Sequence, residues 1–400
     1  MYRYSFYLVV FTILFLLLAI PASAKPVSYV KEYAYQAGEM DSKLSCRTIA
    51  LEQVKRLLLE ELGTYIISET VVTDFKLTKD QISCFTAGLV KTVIIDEQWD
   101  GKTFVLTAKI SVDTDELIRS IDNIRKDHEQ SKTLEDLRKK NEGALNKIEK
   151  LNKEIKTGGV GKAQEEKYAK VLNELNAIDW FKKGYALRYD KQSNRYNDKI
   201  NQEAMKAFDK AIELDPNFAR AYAARAALYN DREHYGQGLR ESEQAVKLDP
   251  DLAWGFNTRG WAHIGLRHFQ KGIEDLNRAT ELDPTSPWPY CNRSLAYYRL
   301  NKYDRALEEA NKAIELSNEL SIAYFHRGKA LAGLTNYDGA IKSFDKAIEL
   351  NPMFSGSFLQ RGYALLKLGK NEQGLEDIKH AANLGNNVAR DYLKEKSVQW

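Results

Sequence analysis

At 400 residues the chain has room for two or three domains, and its 44% hydrophobic and 29% charged content is that of an ordinary soluble protein. A formal net charge of +3 over that length gives no argument for nucleic acid, or for an anionic membrane surface, as a partner.

Residues 1–24 read as a processing segment. Arg3 supplies a small positive start, an apolar run extends from Leu8 to Ile20, and Ala22-Ser23-Ala24 has the small-x-small form of a signal-peptidase site. The pattern predicts cleavage before Lys25 and a periplasmic or secreted chain without a membrane span. The competing reading is an uncleaved helix anchored in the inner membrane, for which the run is short. Export exposes the cysteines to an oxidising compartment. Cys46 and Cys84 then form the candidate disulfide, with two buried thiols as the alternative. Cys291 is the odd one out.

Residues 25–117 predict a small α+β domain. Val27–Tyr35 is rich in Val and Tyr and reads as a strand. A helix starts at Asp41-Ser42, carries Cys46, Ile49, Ala50, Val54, Leu57, Leu58 and Leu62 at helical spacing, and is expected to stop at Gly63. Tyr65–Phe75 reads as a strand. Thr78 with Gln81 has the form of a capping box, which predicts a short helix toward Gly88. Leu89–Gln98 and Lys102–Val112 alternate as two strands, and Asp100-Gly101 between them signals a type I′ hairpin.

Residues 118–156 are polar and charged. Leu134, Asn141, Ile148 and Ile155 fall seven apart, with Leu137, Ala144 and Leu151 three residues behind the first three. This is a short a/d seam, with Asn141 at a register-setting position. It predicts either a homodimeric coiled coil through 118–156 or one long helix packed on its own chain. Residues 157–176 are a linker and lead-in helix. Their Gly-rich start lacks the leading Gly and the Ser/Thr of a phosphate loop, with Lys156 and Ala163 in those places.

From Ala177 a fixed interval takes over. Leu214, Leu248, Leu282, Leu316, Leu350 and Leu384 stand 34 residues apart, with Ala211, Ala245, Ala279, Ala313, Ala347 and Ala381 three residues ahead of them. Each unit also has an aromatic (Trp180, Tyr222, Phe256, Tyr290, Tyr324, Phe358) and, four residues on, a small residue (Gly184, Ala226, Gly260, Ser294, Gly328, Gly362). Most units close on Asp-Pro or Asn-Pro, which stops the second helix. The fourth and sixth carry Asn318 and Asn386 instead, expected in left-handed turns. The spacing resembles that of tetratricopeptide repeats, on Trp180, Gly184, Ala204, Phe208, Ala211 and Pro216 in the first unit and Phe358, Gly362 and Ala381 in the last. The first unit departs from it by about eight extra residues near Asp190–Ile200.

The fold class expected is therefore mainly α. An α-solenoid of about six repeats over 177–386, closed by a capping helix in 387–400, follows the helical segment and the small α+β domain. The N-terminal domain resembles, by pattern, small α+β domains that stand beside repeats in bacterial envelope proteins.

The resemblance implies a protein-binding scaffold whose first helices line a concave groove. On a wheel of about 100° per residue, the stripe beside the in-phase aromatics holds Phe181, Tyr185, Trp254, Asn257, Trp261, Trp288, Leu295, Tyr298, Phe325, Lys329, Leu359 and Tyr363. Asn292 and Arg299 stand near it. Trp254, Asn257, Trp261, Trp288, Asn292, Tyr298, Phe325, Lys329 and Tyr363 are the candidate contacts for a protein or peptide partner. The alternative is that these aromatics pack between repeats. A second ladder, Arg225, Arg259, Arg293, Arg327 and Arg361, lies on the other side and reads as structural, paired with Glu241, Asp275, Glu309 and Asp377. No catalytic motif, metal-ligand spacing or cofactor fingerprint appears, and His263 and His268, five apart, are expected on different helix faces. The competing functional reading is a small-molecule-binding or catalytic N-terminal domain recruited by the repeats.

Overall fold

The computed structural model describes residues 27–69, 90, 92–113, 117, 128–158, 162–189 and 198–398. The expected signal peptide, the capping box at Thr78 and the candidate disulfide partner Cys84 lie outside these residues.

The N-terminal domain has strands β1 (Val27–Gln36), β2 (Thr92–Trp99) and β3 (Thr103–Val112) in one antiparallel sheet, order β1-β3-β2. Val27 pairs with Val112 and Gln36 with Thr103. This register puts Phe104, Leu106, Ala108 and Ile110 on one face, all at most 1% exposed. Helix α1 (Lys43–Glu69) covers that face. Its Cys46, Ala50, Val54, Leu58 and Leu62, one every four residues, are each fully buried. Cys46 is a free thiol, which burial, then the nearby Asp41, pushes up to about 12. Helix α1 runs through Gly63 instead of stopping there, and it replaces the first part of the strand expected from Tyr65. A glycine inside a helix costs about 1 kcal/mol, less than the packing of the apolar stripe returns. The hairpin forms where expected with a different turn. Asp100 N–H meets the Thr103 carbonyl, so Gly101 and Lys102 are the central pair, and only Gly101 has positive φ (94°). That is the requirement of a II′ turn, not of the I′ turn expected.

Helix α2 (His128–Gly158) is followed by α3 (Lys162–Tyr189), one continuous helix that is both lead-in and first repeat helix. The heptad seam of α2 is covered by its own chain. Ala144, Ile148 and Leu151 pack with Tyr168, Val171 and Leu175 of α3. Leu134 joins the sheet core, and Leu137, 1% exposed, joins the core of the first repeats. Asn141 donates to Glu52 of α1 at 2.6 Å instead of setting register with a second copy. Burial opposes ionisation of Glu52, but Lys55 and Lys182 hold its carboxyl below the usual range. Helix α2 thus joins the N-terminal domain to the repeats through shared cores.

The solenoid continues with α4 (Asp198–Leu214), α5 (Ala219–Asp231), α6 (Tyr235–Leu248), α7 (Ala253–Gly265), α8 (Phe269–Leu282), α9 (Trp288–Arg299), α10 (Tyr303–Leu316), α11 (Ser321–Gly333), α12 (Tyr337–Leu350), α13 (Ser355–Lys367) and α14 (Asn371–Asn383), and closes with α15 (Asn387–Glu395). The small residues sit where the helices of one unit cross. A Cβ on Gly260 would stand 2.9 Å from the Gly272 carbonyl oxygen, and one on Gly272 equally close to that of Gly260. Helix α15 buries Ala389 and Leu393 against the last unit. Asn386 caps it, its side chain accepting from Ala389 N–H at 3.0 Å. Neither Asn318 nor Asn386 has positive φ; Gly385 (φ 91°) makes the turn before α15.

From the second unit to the sixth, the turn between the two helices uses a left-handed residue at the same 34-residue interval: Glu233, Arg267, Asn301, Thr335 and Gly369, with φ of 61°, 65°, 58°, 61° and 76°. A β-branched residue is the least suited to that conformation. Thr335→Gly is therefore expected to raise stability by about 1 kcal/mol, read as a higher thermal midpoint in calorimetry. Asn301→Gly, where Asn already tolerates the turn, should change it little.

Candidate functional site

First helices of successive units touch one another: α5 with α7, α7 with α9, α9 with α11, and α11 with α13. This places them on the inner, shorter radius of a curved stack, where the candidate stripe was expected.

The structure divides that stripe. At its N-terminal end Phe181 is fully buried, and Tyr185 and Trp254 are 5% and 8% exposed within one core. Trp254 meets Tyr185 edge-on, centroids 6.2 Å apart. Asn257 is buried, and its Oδ1 accepts from Asn292 Nδ2 at 2.9 Å, tying the third unit to the fourth. Further along, Trp261, Trp288, Tyr298, Phe325, Lys329 and Tyr363 are all half-buried. Phe325 also packs on Phe354 of the next unit (4.7 Å) and Tyr363 on Tyr392 of α15 (5.6 Å). Packing against the next element therefore uses part of the Phe325 and Tyr363 rings, while part of each stays open.

The charge pattern changes at the fifth unit. Lys329 Nζ lies 4.1 Å from the Tyr298 ring centroid and 5.6 Å from that of Phe325. No carboxylate among the described residues pairs with it or with nearby Arg299. Burial, then Arg299, pushes the Lys329 ammonium down to about 8. His326, adjacent on this surface, is 7% exposed and makes no hydrogen bond to the described residues. Sequence pattern did not single it out, because a lone His on a packed helix has no spacing signature.

The opposite ladder is structural. Arg225 bonds Glu241, Arg259 bonds Asp275, Arg293 bonds Glu309 and Arg361 bonds Asp377, at 2.5–2.9 Å. Arg225 and Arg361 also reach back to Asp209 and Asp345 of the preceding second helix. Each of these four stacks on the aromatic three residues before it, guanidinium to centroid 5.1–5.6 Å. Arg327 has Ser343 where the others have an acid. His263 and His268 do not diverge: α7 ends at Gly265, and the turn brings their rings to 5.7 Å.

Burial, with the Lys329 charge adding to it, lowers the His326 pKa to about 3. The unfolded chain therefore takes up this proton first, near pH 6.5. The neutral site is fully compatible with folding above that value, and stability falls as pH drops toward the folded pKa. Between pH 7 and 5 the cost is about 2 kcal/mol. In denaturant titrations, His326→Asn is expected to lose about 2 kcal/mol less than the parent over that interval.

Models of the tetratricopeptide repeat match residues 207–240, 256–286, 287–320 and 321–354. No curated protein matches the chain. Among solved structures, the chain is similar to YrrB, described as a TPR protein with an unusual peptide-binding site, at 21% identity, covering 48% of this chain and 99% of that one with a TM-score of 0.34. It is similar to TTC0263, a thermophilic TPR protein of Thermus thermophilus, at 17% identity over 48% and 99% of the two chains, TM-score 0.41. MamA of Desulfovibrio magneticus RS-1 follows at 16% identity over 42% and 94%, TM-score 0.35. The helix pairs, their interval and the matched repeats agree: the C-terminal part of this chain is a tetratricopeptide-repeat solenoid.

Proposed function

We propose that the chain is an exported, non-enzymatic scaffold of the cell envelope, whose solenoid holds a peptide segment of a protein partner on its inner face. The observation that carries this reading is the open stretch of the stripe. Trp261, Trp288, Tyr298, Phe325 and Tyr363 are half-buried along consecutive first helices, and Lys329, an ammonium without a carboxylate among the described residues, lies against two of them, Tyr298 and Phe325. Partly open rings are favourable to cover, and a half-buried cation without a counter-charge gains from a carboxylate that a partner brings. Aromatic side chains on a rigid helical wall are the usual anchors of a binding hot spot. The partner belongs on the solenoid and not on α2, because the α2 seam is already covered. Among the described residues no helix is long and apolar enough to cross a membrane. The export reading rests on the pattern of residues 1–24.

Trp261→Ala, Tyr298→Ala and Lys329→Ala combined should weaken partner capture by roughly 30-fold or more, while the helical circular-dichroism signal survives at the temperature of the assay. Capture at parental strength by a folded triple variant would remove the groove from the account.

A further inference from the structure

The turns that join successive units present a row of equivalent carboxylates. Asp215, Asp249 and Asp283 each use Oδ1 to accept the backbone N–H two residues on, at 3.1, 3.1 and 3.2 Å. Oδ2 is left over in each. Asp215 Oδ2 takes Lys140 Nζ at 2.7 Å, and Asp283 Oδ2 takes Lys132 Nζ at 2.8 Å. These lysines are eight residues apart on α2, a rise of about 12 Å. Asp249 lies between the two filled positions. Midway between the lysines, however, α2 carries Asp136, whose carboxylate is held by Arg220. Asp249 receives no cation from any described residue.

The space in front of it is a cavity of about 530 Å³, bounded by Asp136 and Lys140 on α2 and by Asp249, Leu252, Trp254 and Asn257 on the solenoid. Lys132, Lys140 and Arg220 around it are each matched by an acid, so the unmatched charge is that of Asp249. Trp254 lines the cavity at 8% exposure, and its indole N–H finds no acceptor among the described residues. The neighbouring filled position shows the same pairing of acid and ring, since Lys140 Nζ also sits 3.6 Å from the Phe218 ring centroid.

We propose that this cavity takes one organic cation, the lysine or arginine side chain of a bound peptide. The proposal rests on the reading of the solenoid as a peptide holder and adds a site at its N-terminal end. Asp249 Oδ2 accepts from the cation, and the Trp254 face covers it. The indole N–H asks for a carbonyl, which a peptide backbone brings and a free amine does not. One free carboxylate oxygen beside an indole does not supply the oxygen shell that calcium requires.

The test is calorimetric titration of the full chain with acetyl-Gly-Gly-Lys-Gly-Gly-amide, with the same peptide carrying norleucine for lysine, and with spermidine. The lysine peptide is expected to bind at least tenfold more weakly to Asp249→Asn, and the norleucine peptide not to bind. Asn351 shows that asparagine keeps this turn, accepting from Met353 N–H at 3.1 Å. Asp136→Lys, which sets a third lysine opposite Asp249, should close the site from within and block the peptide independently. Equal affinity in the parent and Asp249→Asn, or binding of the norleucine peptide, would overturn the site. Spermidine binding that depends on Asp249, without peptide binding, would overturn the peptide source. Partner capture lost in the Trp261/Tyr298/Lys329 variant but untouched by Asp249→Asn would sink this subsite and leave the groove standing.

Discussion

A two-helix unit cannot bury its own apolar face, and everything in the C-terminal part of this molecule follows from that constraint. The helices of a unit must cross closely enough to share one core, which small residues such as Gly260 and Gly272 permit. The units must then repeat the same contact, so Ala211, Ala245, Ala279, Ala313 and Ala347 are all buried to within 1%. A stack built this way has two ends that need covering. Helix α15 covers the last. Near the first, Leu137 of α2 enters the core around Phe181, Phe208 and Phe218.

Helix α2 is the joint on which the geometry of function turns. Leu134 belongs to the sheet core, Leu137 to the repeat core, and Ala144 to Leu151 to the contact with α3. It is therefore a strut, not a spacer, and it fixes the N-terminal domain against the solenoid. Its lysines reach the turn aspartates of alternate units, so the N-terminal end of the solenoid is framed by the chain itself. The stretch around Tyr298, Phe325 and Lys329 stays half-buried, and it is there that the proposed partner would sit.

The period was legible because stacking forces it on every unit at once, and the phase it sets paired the arginine ladder with acids of the second helices. Features that depend on what covers a face were not legible. The seam of Leu134, Asn141 and Ile148 shows that α2 has an apolar face, but a heptad pattern does not say whether α1 and α3 or a second copy fills it. Gly63 carried a stop signal that the packing of Leu58 and Leu62 overrides. The left-handed positions at Glu233, Arg267 and Thr335 carry none of the glycine signal that marks Gly369, because the stacked helices on either side enforce the turn. The approach of His263 to His268 depends on where α7 ends, and helix ends are the least determined part of a pattern. For the site, the residue types were readable and their exposure was not: Trp254 proved to be core as well as cavity wall, whereas Tyr298 and Lys329 stay open.

A peptide segment of another chain held on the inner face of the solenoid is the proposal on which the rest depends. Photo-crosslinking in the native compartment tests it most directly, with the photoreactive residue placed at Tyr298 on the inner helix α9 or at exposed Lys342 on the outer helix α12. One discrete crosslinked partner is expected from position 298 and none from position 342. Equal capture from both positions, or capture from 342 alone, would contradict it.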